Sequence, residues 1–477
     1  MIPMGNTVEK HDTMTVRISK VFAGGPGGQF SRKEPPWHNE KIFAVTGNPV
    51  LHSKSPLMFN GIFERQSIPA VYARLAASTA EEAIFLFKQL RLSGMNVTAP
   101  FKQDIIQYLD IVEPAAVRIG GVNTVVREKE RLKGYNTDYI GVVESLKKNN
   151  IPIRDRKCVI LGAGGAGRAA AYGLVKEKAN VIIVNRTFST ARVVARSFGG
   201  KRCRAERIER LEEVLKSSDI LVSTLAADID IVPATWLRKD LVVMDANYKK
   251  SFLSEKAQNR GCQVIKGEAW LLNQAVPAFQ YFLGATANET VVEIMRKALL
   301  SSPPGKPKNI ALVGFMGSGK SAAGKILASQ MGFSFKDLDE LIEAKEGRSI
   351  PDIFKTDGED YFRKIEKTLL KTELESHFGV VYACGGGVVI DKQNREILKQ
   401  NALVIWLYST IDTALKRILP GTRPLLDSDD PKKKAQEILN KRMAAYAAAA
   451  DLIVSSEKTA DKVAEKIHEE IRRTFYD

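Results

Sequence analysis

Cys158-Val159-Ile160-Leu161-Gly162-Ala163-Gly164-Gly165-Ala166-Gly167 is the stretch on which the architecture turns. Its first four residues are apolar without alternation, as in a strand buried on both faces, and the glycines after them allow a turn tight enough to open a helix at once. A helical pattern from Arg168 to Lys178 leads into a second apolar run, Val181 to Val184. Strand, helix and strand within about thirty residues form a βαβ crossover. In that setting G-x-G-x-x-G becomes a pyrophosphate cradle. Gly162, Ala163, Gly164, Gly165, Ala166 and Gly167 present free helix amides and let the backbone approach an anion. The alternative is a glycine-rich turn of purely structural use. The second strand ends at Asn185-Arg186-Thr187, where an NAD site places Asp or Glu against the ribose hydroxyls. A guanidinium suits a 2′-phosphate by charge and fork geometry, so Arg186 predicts NADP(H).

Upstream, an α/β rhythm runs from Lys41: strands at Ile42 to Val45 and Val71 to Leu75, helices at Pro56 to Arg65 and Thr79 to Leu92. Four polar segments fall where strands should end. They are Gly47 to Pro56, Gly94 to Lys102, Gly121 to Thr124 and Gly134 to Asp138. Each alone is a turn; together their hydroxyls, amides, lysine and aspartate can converge on a small polyhydroxylated molecule.

Downstream, Ser301-Ser302-Pro303-Pro304-Gly305-Lys306-Pro307 is the sharpest break in composition and reads as a linker. A buried strand from Asn309 to Val313 follows, and then Gly314-Phe315-Met316-Gly317-Ser318-Gly319-Lys320-Ser321. This satisfies G-x-x-x-x-G-K-[ST] between a strand and a helix, the setting of a phosphate loop. The amides of Gly314, Gly317, Ser318 and Gly319 cradle phosphates, Lys320 reaches the terminal ones, and Ser321 ligates Mg2+ beside ATP.

At the four polar segments the sequence resembles shikimate dehydrogenase, from about residue 42 to 298, through S-x-S-P, N-V-T-x-P-x-K, V-N-T and N-T-D in order. The resemblance implies NADPH-linked, reversible reduction of 3-dehydroshikimate to shikimate. It places the substrate carboxylate on Ser53 and Ser55, the ring oxygens on Thr98, Asn123 and Asp138, and acid/base work on Lys102. A carbonyl that receives hydride needs a proton donor within hydrogen-bond reach, and lysine can be one. It also implies that Tyr248 and Gln274 touch substrate and that the backbones at Ala246 and Gly267 line the nicotinamide. Trp270 departs from a common methionine. Thr190 stands where a second basic residue often helps hold the 2′-phosphate, although Arg192 is near.

From about residue 308 to 473 the sequence resembles shikimate kinase, through G-F-M-G-x-G-K-S, D-x-D, F-R-x-x-E, G-G-G and R-P-L-L. That implies transfer of the ATP γ-phosphoryl group to the shikimate 3-hydroxyl. Asp337 would serve Mg2+ and Asp339 the acceptor hydroxyl. Arg363 and Arg442 would hold the carboxylate, Gly386 would lie against the ring, and Arg423 would close a lid, with Arg417 against adenine. Alanine-rich residues 444 to 450, around Tyr446, read as helix propensity alone.

The expected fold class is α/β: a two-domain dehydrogenase followed by a phosphate-loop kinase with a parallel sheet. The expected boundaries are 41–144 plus 268–300 for the substrate domain, 145–267 for the Rossmann NADP domain, 301–307 for the linker and 308–477 for the kinase. Residues 1–40 read as a flexible leader. A length of 477 accommodates such a division. With 44% hydrophobic and 26% charged residues, wholesale disorder is excluded. The net charge of +16 raises nucleic acid, membrane and small anions as partners. Nearly all of it, about 15 units, lies before residue 307 without aromatic and basic interleaving, so small anionic substrates are expected and nucleic acid is not. Lys201, Arg202, Arg204, Arg207 and Arg210 read as a solvated face. No apolar run suits a signal peptide or a membrane span, and Cys158, Cys203, Cys262 and Cys384 form no C-x-x-C pair, so a cytoplasmic protein with incidental thiols is expected. The competing readings are quinate or another hydroxy acid for the first half, another acceptor for the second, and a nucleic-acid-binding module.

Overall fold

The structure is a computed structural model describing residues 40–248, 251–301, 305–418, 424–426 and 428–476. The leader and Arg423 lie outside the described residues, as does part of the expected linker.

The first unit contributes strands β1 (Lys41–Gly47), β2 (Ala70–Ala76), β3 (Gly94–Val97), β4 (Ile111–Val112), β5 (Thr124–Glu128) and β6 (Arg131–Tyr135). The opening stretch forms β7 (Lys157–Leu161), and β8 (Asn180–Val184), β9 (Cys203–Glu206), β10 (Ile220–Ser223), β11 (Val242–Asp245) and β12 (Gln263–Ile265) complete its unit. The last unit holds β13 (Ile310–Val313), β14 (Ser334–Asp337), β15 (Val380–Ala383), β16 (Leu403–Tyr408) and β17 (Leu452–Ser455).

Strands β7 to β12 form a separate sheet in the order β12-β11-β10-β7-β8-β9, parallel throughout. This is the doubly wound order of a dinucleotide-binding unit, whose ligand crevice opens at the switch point between β7 and β10. Every residue of β7 after Lys157 is buried, as its unbroken apolar run requires. The helix after it spans Gly165–Lys176, three residues earlier than the apolar periodicity indicates. Glycines carry no periodic signal, and Gly164 supplies the extended backbone before the first turn.

The other eleven strands form one sheet, β14-β15-β13-β16-β17-β2-β1-β3-β5-β6-β4. The first and last units are therefore continuous. They join through parallel pairing of β17 with β2, Ile453 opposite Leu75 and Val454 opposite Ala76. The cores merge as well: Leu86 and Phe87 lie in one apolar cluster with Trp406 and Tyr446, and Phe59 and Phe282 in another with Leu407 and Ile467. Strands β1, β2, β3 and β13 to β17 run parallel, β5 runs against β3, and β6 runs against β5. The carboxyl ends of β1, β3, β6, β13, β14 and β15 and the amino end of β5 thus share one edge of the sheet. All four polar segments and the phosphate loop lie on that edge.

Candidate active sites

Lys102 and Asp138 come together from separate segments. Lys102 Nζ donates to Asp138 Oδ2 at 2.7 Å, with side chains 16% and 10% exposed, sheltered enough for the pair to resist solvent screening. Asp138 opens the helix Asp138–Lys148, whose free amides favour its negative charge. Its other oxygen accepts from Asn123 Nδ2 at 2.9 Å, and that amide also lies 2.9 Å from Thr137 Oγ1 and 3.3 Å from Gln274 Oε1. Trp270, in the helix Gly267–Leu283, donates its indole N–H to the Asp138 carbonyl at 3.0 Å. The tryptophan thus fixes the turn that bears the aspartate.

A further hydrogen-bonded layer joins this network through Asn123. Tyr72 OH donates to Asn96 Oδ1 at 2.7 Å, and Asn96 Nδ2 donates to the Asn123 carbonyl at 3.2 Å and to Thr124 Oγ1 at 3.0 Å. Tyr72 stands in an ordinary strand pattern with no local sign of this role. Ser53 and Ser55 are buried with their hydroxyls 3.4 Å apart. Thr98 meets their loop, because a Cβ on Gly47 would come 2.4 Å from Thr98 Cγ2. Tyr248 approaches from the other sheet, with Lys54 Nζ 5.5 Å from its ring centroid and burial pushing its hydroxyl up to about 12.

The glycine cradle faces this network. A Cβ on Gly165 would sit 3.3 Å from Lys102 Cδ, so the lysine lies at the mouth of the loop. Gly162 has φ of 101° and Gly167 packs so tightly that a Cβ would meet the Gly162 carbonyl at 2.1 Å, whereas a Cβ on Gly164 would meet nothing within 4 Å. Ala163 N–H donates to Asn185 Oδ1 at 3.2 Å, tying the cradle to the end of β8. Arg186, Thr187, Thr190 and Arg192 are exposed there and Ala166 is half-buried. Gly267 presses on the Ala246 carbonyl, leaving no room for a side chain. These features fit a dinucleotide. Nearby, the basic run is exposed and largely ion-paired: Arg202 with Asp155, and Arg204 and Arg210 with Glu206. The described cysteines are buried and unbridged, and burial pushes Cys158 and Cys203 up to about 12.

In the last unit, Lys320 Nζ curls onto the loop carbonyls of Gly314 and Phe315 at 3.0 and 3.1 Å. Gly314, Gly317 and Gly319 have φ of 147°, 75° and 81°, values that a side chain would strain. Ser321 Oγ donates to Asp337 Oδ2 at 2.6 Å, and Asp337 Oδ1 accepts from Asp339 N–H at 3.0 Å. A hydroxyl and a carboxylate beside a phosphate cradle are hard oxygen donors that fit Mg2+, which Ser321 and Asp337 would hold. Arg417 Nη1 would lie 3.5 Å from a Cβ on Gly319, with Nη2 on the Ser456 carbonyl at 2.8 Å, so it does stand over the loop.

A cleft beside the phosphate loop is lined by Met316, Asp339, Phe362, Arg363, Gly385, Gly386, Gly387 and Arg442. Arg442 Nη1 donates to the Gly386 carbonyl at 3.0 Å. Arg363 is held by Glu366 at 2.7 Å and Glu359 at 2.9 Å, so its free edge is narrower than the sequence suggests. Burial pushes the Glu366 carboxyl up while Arg363 opposes this. Tyr446 differs from expectation. Its hydroxyl donates to the Gly386 carbonyl and its ring stacks on Trp406, so it braces the glycine turn in addition to favouring a helix.

Comparison with known proteins finds three family models along the chain. Residues 45–125 match the family model "Shikimate dehydrogenase substrate binding domain", residues 144–250 match "Shikimate / quinate 5-dehydrogenase", and residues 316–472 match "Shikimate kinase". Over 260 residues the chain is 37% identical to shikimate dehydrogenase (NADP(+)) of Aquifex aeolicus, covering 53% of this chain and 95% of that one. The same enzyme of Pyrococcus furiosus is 37% identical over 268 residues, covering 55% and 96%. A crystal structure of shikimate dehydrogenase in complex with NADP+ superposes with a TM-score of 0.51 at 33% identity, over 55% of this chain and 95% of that one. Quinate dehydrogenase from Corynebacterium glutamicum in complex with NAD gives 0.51 at 27% identity, over 55% and 99%. The chain belongs to the shikimate dehydrogenase family and carries a shikimate kinase domain behind it.

Proposed function

We propose that the chain reduces 3-dehydroshikimate to shikimate reversibly with NADPH and phosphorylates the shikimate 3-hydroxyl with ATP and Mg2+. The Lys102–Asp138–Asn123 network carries this reading, because it faces a dinucleotide cradle in a chain that also holds the Ser321–Asp337 pair. NADPH, when bound, supplies the hydride. Lys102 gives a proton to the developing alkoxide, Asp138 orients the ammonium and an adjacent ring hydroxyl, and Asn123, Thr98, Gln274 and Tyr248 fix the ring. Ser53 and Ser55 take the carboxylate, Ala246 and Gly267 border the nicotinamide, and Arg186 takes the 2′-phosphate. In the kinase, Asp339 accepts from the 3-hydroxyl, Arg363 and Arg442 hold the carboxylate against Gly386, and Lys320 with Arg423 steadies the transferred charge. We assign 41–144 plus 268–300 to the substrate domain, 145–267 to the cofactor domain and 308–477 to the kinase. We place the enzyme in the cytoplasm, where NADPH and ATP are made and buried thiols stay reduced. Among the described residues no helix is long and apolar enough to cross a membrane.

Purified protein given shikimate with NADP+, and separately shikimate with ATP and Mg2+, should turn over both. Lys102→Ala should lower only the first rate, by about 10²- to 10⁴-fold, and Lys320→Ala should abolish only the second. Loss of both from either change would overturn separate sites. Preferred turnover of quinate over shikimate with NAD+ would favour the second reading that the quinate dehydrogenase superposition supports.

A further inference from the structure

The loop bearing Ser53 and Ser55 is gripped by the kinase. In the helix Ala460–Phe475, Glu470 is wholly buried and points its carboxylate at that loop, 420 residues away in sequence. Its Oε2 accepts from Val50 N–H at 2.8 Å and Leu51 N–H at 2.9 Å. Lys466 Nζ stands 3.3 Å from Glu470 Oε1 and donates to Asn48 Oδ1 at 2.9 Å. A second strap lies across the join. Arg74 on β2 donates to the Ser53 carbonyl at 3.0 Å and to the Asp451 carbonyl, just before β17, at 3.3 Å.

Val50 and Leu51 are 0% and 5% exposed, so their amides have little water to fall back on if the carboxylate is removed. Charge-assisted bonds to two successive amides also fix the direction in which the loop leaves β1. We propose that Glu470, a kinase residue, is a positioning residue for the dehydrogenase. It sets the loop that presents Ser53 and Ser55 to the substrate carboxylate, so the kinase helix is a structural part of the dehydrogenase site. This rests on the assignment of that loop to the carboxylate.

The test uses the full chain, without ATP, measuring dehydrogenase kinetics with shikimate and NADP+ for wild type, Glu470→Gln and Glu470→Leu. The leucine variant should raise the KM for shikimate on the order of 10- to 100-fold, while the KM for NADP+ and the separately assayed kinase rate stay within about twofold. The glutamine variant, which keeps one acceptor oxygen, should fall between. An unchanged shikimate KM in the leucine variant, or a KM for NADP+ that rises in step, overturns the proposal. Should the leucine variant also lose kinase activity, glutamine decides: a wild-type shikimate KM overturns it, and a selective rise supports it. Wild-type protein that fails to oxidise shikimate with NADP+ overturns instead the function on which the proposal stands.

Discussion

Lys102 touches both halves of the dehydrogenase: its ammonium holds Asp138, and its methylenes lie against the glycine that opens the cofactor helix. The motif made Lys102 and Asp138 legible because their spacing accompanies recognisable segments. Tyr72 and Arg74 were not legible, since each sits in a strand where its partner is set by register and by a distant chain segment. Arg186 is exposed at the end of β8, where the sequence predicts a 2′-phosphate contact, and no carboxylate stands at that position for ribose hydroxyls. Arg186→Ser should therefore raise the KM for NADP+ on the order of tenfold, the loss of one charge-assisted contact, and leave the KM for NAD+ nearly unchanged. Equal shifts for the two cofactors would count against a 2′-phosphate role.

Among elements, the helix Pro431–Ala449 departs furthest from its sequence reading. Ala435, Ala444, Ala445, Ala447 and Ala449 are buried, and their small size lets the helix lie close to β16, where Tyr446 stacks on Trp406 with centroids 5.3 Å apart. Helix propensity explained the alanines but could not show what the tyrosine reaches, because Gly386 lies 60 residues away. Tyr446→Phe keeps the stack and removes only the hydroxyl. The KM for shikimate in the kinase reaction should rise severalfold, a loss of about 1 kcal/mol, with ATP affinity and the dehydrogenase unaffected. A change in the dehydrogenase alone would show that the brace serves something else.

For the whole molecule, alternating strands and helices announced three α/β units, yet nothing local announced that two would share a sheet. Pairing of β17 with β2 depends on edge geometry, and apolar runs such as Leu452 to Val454 suit any buried parallel neighbour. One sheet with merged cores should unfold as one cooperative body. Heated samples assayed for both reactions should lose kinase and dehydrogenase activity with coincident midpoints. Kinase activity lost more than about 4 °C below dehydrogenase activity, on the order of 1 kcal/mol or more, would mean the join contributes little, whereas earlier loss of the dehydrogenase alone would report the separate β7–β12 sheet.

The join also bears on what happens when the chain is cut. Strand β2 is the outer strand of the substrate half and β17 that of the kinase half, and apart from Arg74 both are free of the charged and proline residues that keep bare edges from sticking. Two polypeptides severed between residues 301 and 307 would each display a row of unsatisfied backbone groups beside apolar side chains. Expressed apart they would be prone to aggregate; expressed together, each edge would be the other's natural cover, so a pair of fragments can reassemble where either alone fails.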